Sequence, residues 1–168
     1  MKATFRAFAP ALLLALAACP TASPNKPAVI LRTTIVPADS VRMGDSLKIT
    51  TWLKNPEPEA MIMTFEDQCQ VEQFVQTPDK TIVYPPGGGS TCISVPSTLR
   101  VAGRDSVRFD AAWLANSSVQ GEYVAYGVLS QHQLQRGERD QELKMGHRSN
   151  IAIFHVAAQA RGTAGNRE

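Results

Sequence analysis

The sequence lacks a hydrophobic run long enough to cross a membrane as a helix. Such a helix needs about 20 consecutive apolar residues, and the apolar run near the N-terminus, residues 11–16, is far shorter. No pattern of helical period continues for more than about ten residues. The run Gly87-Gly88-Gly89 is not followed by the Lys-Ser/Thr of a phosphate-binding loop. These absences exclude a spanning helix, a helical fold and a P-loop nucleotide site.

An excess of charge of one sign is also missing. The chain has 17 basic and 15 acidic residues, but Lys2 and Arg6 lie in the segment interpreted below as a signal peptide. Without these two, fifteen basic residues balance fifteen acidic ones. A neutral domain gives no reason to expect the basic surface that binds nucleic acid or an anionic membrane. We therefore expect no nucleic-acid partner.

The N-terminal residues have the pattern of a secretory signal. Lys2 and Arg6 form a short positive region, residues 11–16 follow as an apolar region, and the first acidic residue is Asp39. A positive region before a short apolar run is typical of a segment that directs export and is then removed. We therefore keep this segment out of the fold prediction.

The end of this segment, Leu16-Ala17-Ala18-Cys19, resembles the lipobox of bacterial lipoproteins. The resemblance implies a lipoprotein signal peptide over residues 1–18 and a lipid on Cys19, which would anchor the protein stably in a membrane. Pro20 stands where an inner-membrane retention Asp would be. The expected location is therefore the outer membrane, with the protein facing the periplasm.

Removal of 18 of the 168 residues leaves 150, which is the size of one domain. Residues 19–27 are rich in Pro, Ser and Thr, have no large apolar side chain and are predicted to be a lipidated tether. Residues 28–157 are predicted to form the domain. Residues 158–168 are small and polar and are predicted to be a disordered tail.

The three cysteines divide into one lipid site and one pair. With Cys19 assigned to the lipid, Cys69 and Cys92 remain, and in an oxidising compartment they are predicted to form a disulfide. Such a disulfide closes a loop of 23 residues, which stabilises the folded state by about 3 kcal/mol in the chain-entropy model.

Short runs with alternating apolar side chains and β-branched residues fill the rest of the chain. They occupy residues 29–36, 46–54, 61–65, 69–76, 81–84, 99–101, 106–113, 121–129 and 150–156. This pattern predicts an all-β, antiparallel sandwich of about 7–9 strands. Trp113 and Tyr123 are predicted core residues, whereas the polar segment 130–147 is predicted to be a long loop.

Two segments repeat the same turn chemistry. Residues 41–46 and residues 101–106 both contain Gly, Asp and Ser before an alternating strand. Such residues favour tight turns. We interpret the repetition as two similar turns, and not as a duplicated domain.

Four sequence blocks between residues 45 and 129 resemble the intracellular proteinase inhibitor (BsuPI-like) domain family. They are a strand ending in Asn-Pro (47–56), a strand leading to Gln68-Cys69-Gln70-Val71 and Phe74, a turn and strand ending in Trp113 (103–113), and Gln120-Gly121-Glu122-Tyr123-Val124. The chain departs from the family in two respects. Ala102-Gly103 stands where the family has Pro-Gly, and the family name implies a cytoplasmic protein whereas this chain is expected to be exported. The resemblance implies an Ig-like β-sandwich and, by inheritance alone, proteinase inhibition.

The sequence matches catalytic motifs poorly. Gly44-Asp45-Ser46-Leu47 spells the nucleophile block of the GDSL esterases, but that family is α/β and requires a late Asp-x-x-His that this chain lacks. The three histidines, His132, His147 and His155, have neither mutual metal-ligand spacing nor acidic neighbours at the required positions. We expect no enzyme activity, no cofactor and no metal site.

Two functions remain. The first is a membrane-anchored, non-catalytic binding or scaffolding lipoprotein of the cell envelope with a protein partner. The alternative is a proteinase inhibitor of the periplasm or cell surface, whose candidate protease-contact loop contains Tyr84, Pro85, Pro86, Gly87 and Gly88. Two prolines and the neighbouring Cys92 would stiffen this loop, and rigidity lowers the entropic cost of binding.

Overall fold

The protein is described from a computed structural model, which gives residues 29–89, 92–137, 139–143 and 147–159. Cys19, the signal peptide, the tether and the tail from residue 160 lie outside these residues, so their assignments stay predictions. The strands in chain order are β1 Ile30–Val36, β2 Ser40–Arg42, β3 Ser46–Lys54, β4 Met61–Phe65, β5 Val71–Gln76, β6 Ile82–Tyr84, β7 Ser97–Val101, β8 Ser106–Leu114, β9 Gly121–Leu129, β10 His132–Arg136, β11 Arg139–Leu143, β12 His147–Arg148 and β13 Ala152–Ala157. Within the described part, no helix is long and apolar enough to cross a membrane.

The strands form three sheets. The first has the order β1-β3-β8, and the second has the order β2-β13-β9-β5-β6 with β12 also on β9. The third has the order β11-β10-β4-β7. All pairs are antiparallel except β2 with β13. The prediction of an all-β, Ig-like antiparallel sandwich with one disulfide is confirmed.

All nine predicted strands are present, and four short ones were not predicted: β2, β10, β11 and β12. The prediction that residues 130–147 are a long loop is wrong, because β10 and β11 form a hairpin there and β10 pairs with β4. On β10 the inward positions include His132 and Leu134. A histidine on the inner face weakens the apolar alternation from which strands are predicted.

Two apolar clusters fill the interior. The first lies between the first and second sheets and contains Trp113, Tyr123 and Phe154, whose rings lie 5.6–6.0 Å apart. The second cluster adds the inner side chains of the third sheet, including Met63 and Phe65. Trp113 is 3% exposed and Tyr123 is fully buried, so the predicted core positions are confirmed.

A layer of polar side chains separates the two clusters. The hydroxyl of Thr33 lies 2.9 Å from that of Thr51 and 2.8 Å from that of Ser149. The Ser149 Oγ also accepts a hydrogen bond of 2.9 Å from the Gly127 N–H. A Cβ on Gly127 would come within 2.6 Å of the Thr51 side chain, so a larger residue there would displace Thr51. We call these four residues the polar layer.

Tyr123 makes the contact that characterises Ig-like folds. Its hydroxyl donates a 2.6 Å hydrogen bond to the Val119 carbonyl, four residues earlier, in the connection from β8 to β9. This tyrosine corner is a recurring feature of Ig-like sandwiches at the connection between the two corresponding strands. This contact supports the assignment of an Ig-like fold independently of the strand order.

The two predicted turns are both present and lie at opposite ends of the β3–β8 pair. In each, the Asp N–H donates to the carbonyl three residues earlier: Asp45 to Arg42 and Asp105 to Ala102. The second turn packs against the segment after β3, where the Arg104 N–H donates to the Glu57 carbonyl at 2.8 Å. The interpretation as repeated turn chemistry agrees with this geometry.

Gly103 lies where the second turn meets that segment. A Cβ at this position would lie 1.7 Å from the carbonyl oxygen of Pro58. The buried Asn55 joins the same two segments, since its Nδ2 donates to the carbonyls of Glu59 at 2.7 Å and Ala102 at 3.1 Å. We call this contact between residues 55–59 and 101–105 the Asn55 clamp.

Candidate functional site

The disulfide predicted between Cys69 and Cys92 is present. It links the residues before β5 to those before β7, with the two Cα atoms 5.6 Å apart. Asp67 lies beside it and accepts a 2.8 Å hydrogen bond from the Cys69 N–H. Since both sulfurs are bonded to each other, neither is a thiolate ligand, and this group fixes a loop instead of binding a metal.

The candidate protease-contact loop is partly packed and partly exposed. Tyr84 packs against the first apolar cluster and Pro85 is buried, whereas Pro86, Gly87 and Gly88 are exposed. Gly87 and Gly88 have φ values of 80° and 81°. A strand-like peptide, the form in which a protease holds its substrate, has negative φ throughout. The loop therefore reaches solvent but does not have an extended, substrate-like shape, and protease contact through it stays a prediction.

Ser46, the serine of the GDSL spelling, is an exposed residue at the start of β3 opposite Leu114. His155 is exposed on β13, and His147 begins β12. Among the described residues, no hydrogen bond joins Ser46 to a histidine. The serine therefore opens a strand, as predicted, and the absence of esterase activity stays a prediction.

His132 is the buried histidine, which the sequence did not single out. It is 4% exposed, packs on Phe65 at 5.4 Å, and its Nδ1 lies 2.8 Å from the Ser130 carbonyl. That geometry requires a proton on Nδ1. Burial lowers the pKa of His132, although the hydrogen bond to Ser130 opposes this shift. His132 is therefore a neutral structural residue at physiological pH.

The outer face of the second sheet offers the clearest surface for a protein. Odd-numbered β9 residues from 123 to 129 point into the core, so the even-numbered ones point outward. Neighbouring strands add apolar side chains around them. We call this surface the apolar face, and it contains Phe74, Val124, Tyr126, Ile151 and Ile153.

Its two isoleucines are strongly exposed: Ile151 by 45% and Ile153 by 57%. Ile153 lies directly opposite Val124 in the β13–β9 pairing. Exposed apolar side chains are ordinary when scattered, but adjacent ones form a patch that water solvates poorly. The two isoleucines and Val124 form such a patch.

Aromatic stacking orders the neighbouring part of the apolar face. Phe74 lies opposite Tyr126 in the β5–β9 pairing, and their rings stack with centroids 5.4 Å apart. The guanidinium of Arg148 lies 4.1 Å from the centre of the Tyr126 ring. Glu122 and Lys80 border the depression that Val124, Ile151 and Arg148 also line. An apolar centre thus has charged groups at its border.

Sequence reasoning did not find this surface. The apolar face combines β5, β9 and β13, which are separated by tens of residues, and its outward positions alternate with core positions of equal hydrophobicity. The one available signal was that the outward side chains of β9 are apolar as well, so its alternation lacks a polar half.

These features define the class of the chain: it is an Ig-like β-sandwich domain. No family model and no curated protein matches it. Several solved structures resemble this chain in their overall fold at low sequence identity. The CARDB domain of a Pyrococcus furiosus protein is 12% identical, with 78% of this chain and 87% of that chain covered and a TM-score of 0.34.

Two further structures illustrate the range of these likenesses. The seventh PapD-like domain of human CEP192 is 12% identical over 89% of this chain and 96% of its own, with a TM-score of 0.32. The alkylpurine DNA glycosylase AlkC of Pseudomonas fluorescens is 9% identical, with a TM-score of 0.41. The match covers 77% of this chain but only 30% of the glycosylase. At such values the likenesses carry no argument about activity or partners.

Proposed function

We propose that this protein is a membrane-anchored, non-catalytic Ig-like lipoprotein of the cell envelope that binds a protein partner through the apolar face. The observation that carries the binding role is the patch formed by Ile151, Ile153 and Val124 beside the stacked Phe74 and Tyr126. The anchor rests on the lipobox that ends at Cys19.

The composition of the apolar face suits protein recognition. An apolar centre with a charged border is the usual arrangement of a protein interface. Ile151 and Ile153 are each about half exposed, so a partner that covers them would gain from each about half of the roughly 1.5–3 kcal/mol of a full burial. Arg148 is exposed and of a residue type that often dominates binding energy. Tyr126 is only 8% exposed and supports the Arg148 guanidinium from beneath, 4.1 Å from its ring centre, before a partner arrives.

The tether would limit where that partner lies. From Cys19 to residue 28 the chain has ten residues, which span at most about 35 Å when fully extended. A domain on such a tether stays within roughly its own diameter of the membrane surface. The partner is therefore expected to be a membrane protein or another envelope protein held close to the membrane.

Site-specific photocrosslinking in cells tests the binding role. A photoreactive amino acid at position 153 is expected to yield one discrete crosslinked product, whose partner mass spectrometry identifies. The same amino acid at Leu114, which is 51% exposed on the opposite sheet, is the matched control. Equal products from both positions, or none from position 153, would refute binding through the apolar face.

A second variant measures the contribution of the patch. Ile153→Asp places a charge in the centre of the apolar face, and we expect it to weaken binding to the identified, purified partner at least tenfold. Leu114→Asp carries the same change on the opposite sheet and should bind like the wild type.

For the anchor, Cys19→Ser is expected to release the protein from membranes under a high-salt wash, and retention would contradict the lipid assignment.

Proteinase inhibition is the alternative function, favoured by the exposure of residues 86–89. It is tested by titrating the purified protein into serine and cysteine proteases and following residual activity. Stoichiometric inhibition that disappears when Pro86, Gly87 and Gly88 are replaced by serines would establish the inhibitor instead. Under our proposal the proteases keep their activity.

A further inference from the structure

The outer face of the first sheet carries a second distinctive surface, opposite the apolar face. Alternation on β1, β3 and β8 points five large polar or aromatic side chains outward. We call them the Trp52 face: Arg32, Lys48, Trp52, Lys54 and Arg108. Although the mature chain is expected to be neutral, its folding places four basic groups on one sheet.

Strand register arranges these groups around the indole. Arg32 and Arg108 are the pairing partners of Trp52 on either side, so the three side chains form one row across the sheet. The Arg108 guanidinium lies 5.9 Å from the centre of the indole ring. Lys54 stands in the next row, between Ile30 and Ser106. Trp52 is 37% exposed at the centre.

The acidic complement on this face is small. Asp110 is the sole acidic side chain that β1, β3 and β8 point outward. Its carboxylate lies 2.7 Å from the Thr50 hydroxyl, 3.0 Å from Arg108 and 3.7 Å from Lys48. Arg32 and Lys54 have no carboxylate partner among the described residues.

A shallow open depression connects the unpaired cations to the ring. It measures about 500 Å³ and is lined by Trp52, Arg32, Lys54, Ile30, Thr34 and Ser106. None of these residues is acidic. An exposed aromatic ring beside the two unpaired cations Arg32 and Lys54 suits a ligand that combines a ring to stack with carboxylates or other anionic groups.

We propose that the Trp52 face binds an acidic polysaccharide. A pyranose ring would stack on the indole, and its carboxylates would accept hydrogen bonds from Arg32 and from the Lys54 ammonium. The guanidinium of Arg108 would meet the next sugar along the row. An open sheet face leaves both ends of the chain free, as a polymer requires. The choice of a glycan over a nucleic acid rests on the proposed export of the protein.

Tryptophan fluorescence gives a direct test, because the chain has two tryptophans and Trp113 is buried. The full chain is purified in octaethylene glycol monododecyl ether, a detergent without a sugar headgroup. Hexagalacturonate is titrated as the acidic ligand and maltohexaose as its neutral counterpart. We expect a saturable change with hexagalacturonate that also protects Trp52 from iodide quenching, and no change with maltohexaose.

Variants locate the site. Arg32→Gln is expected to weaken hexagalacturonate binding about tenfold, the usual effect of losing a charged hydrogen bond. Trp52→Ala, followed by calorimetry because the reporter is gone, should lose measurable binding. Leu114→Ala, on the same face but distant from the depression, should bind like the wild type. Binding should also weaken as salt is raised.

Several results would overturn the proposal. They are absence of binding at millimolar hexagalacturonate, equal binding of maltohexaose, unchanged affinity in Arg32→Gln, or tighter binding of oligo-dT or of phosphatidylglycerol vesicles than of hexagalacturonate. The result of these glycan-binding tests is independent of the result for the proposed protein interface, because crosslinking at position 153 reports on the opposite sheet.

Discussion

Replacement of Gly103 by alanine tests whether close backbone contact at the Asn55 clamp stabilises the fold. The new Cβ would lie 1.7 Å from the Pro58 carbonyl oxygen, and real Cβ contacts essentially never fall below 3.0 Å. The two segments must therefore separate by about 1.3 Å. The obstacle is backbone, so no side-chain rotation relieves it.

That separation breaks hydrogen bonds across the clamp. The bonds from Arg104 N–H to Glu57 and from Asn55 N–H to Asp105 are 2.8 and 2.9 Å long, and would stretch to about 4 Å. Each bond contributes about 0.5–1.5 kcal/mol, and a buried group left unpaired costs about 1–3 kcal/mol more. We expect Gly103→Ala to lower the free energy of unfolding by about 3–5 kcal/mol.

Urea and thermal denaturation followed by circular dichroism measure this effect. A domain of this size loses about 2–4 °C in Tm for each kcal/mol, so a fall of about 10 °C is expected. Gly89→Ala is the matched control, because Gly89 has extended backbone and its added Cβ meets nothing within 4 Å. If the two variants unfold within about 1 kcal/mol of each other, the steric reasoning is wrong.

Four further predictions concern stability and chemistry. Trp113→Ala removes a ring packed on Tyr123 and should cost about 3–5 kcal/mol, measured by urea denaturation; a cost below about 1 kcal/mol would contradict its core position. Replacing Cys69 and Cys92 together by serine should cost about 3 kcal/mol, and reduction should destabilise only the wild type. Burial lowers the pKa of His132, so as pH falls the unfolded chain takes up a proton on this residue before the folded chain does. The contribution of His132 to stability should therefore be complete above about pH 6.5 and decrease as pH falls below it. His132→Gln should flatten this dependence between pH 5 and 7, and an unchanged slope would refute the prediction. Ser46→Ala should leave hydrolysis of short nitrophenyl esters at the background rate of the wild type, whereas turnover that vanishes in the variant would establish an enzyme.

The sequence predicted the fold well where strands alternate between apolar and polar residues. The bounds of β3, β4 and β9 match the predicted segments. The inward positions of β3 and β4 are mostly large apolar residues, whereas β9 is bounded by the Gly121 turn and is rich in aromatic and β-branched residues. It failed for β10, where a buried histidine occupies an inward position and weakens the alternation. Disulfide pairing was predictable because removing Cys19 leaves two cysteines.

The candidate surfaces were less accessible from sequence. Arg32, Trp52 and Arg108 are 20 and 56 residues apart along the chain, and only the β1-β3-β8 order brings them into one row. Net charge predicted no basic surface, since a sum over the chain does not record which face each charge occupies. The apolar face was not predicted either, because the pairing of β5, β9 and β13 brings together residues that are far apart in the sequence.

The polar layer has a consequence for how the strands find their partners. Side chains repeat every two residues along a strand, so a strand that slips by two residues still points its apolar side chains inward. Here such a slip of β3 along β1 would move Thr51 away from Thr33 and leave the Thr51 hydroxyl among aliphatic groups, at a cost of about 1–3 kcal/mol, whereas Thr33 would keep Ser149 as its partner. The hydroxyl pair therefore distinguishes the native alignment from the neighbouring misaligned one, which hydrophobic alternation alone cannot do.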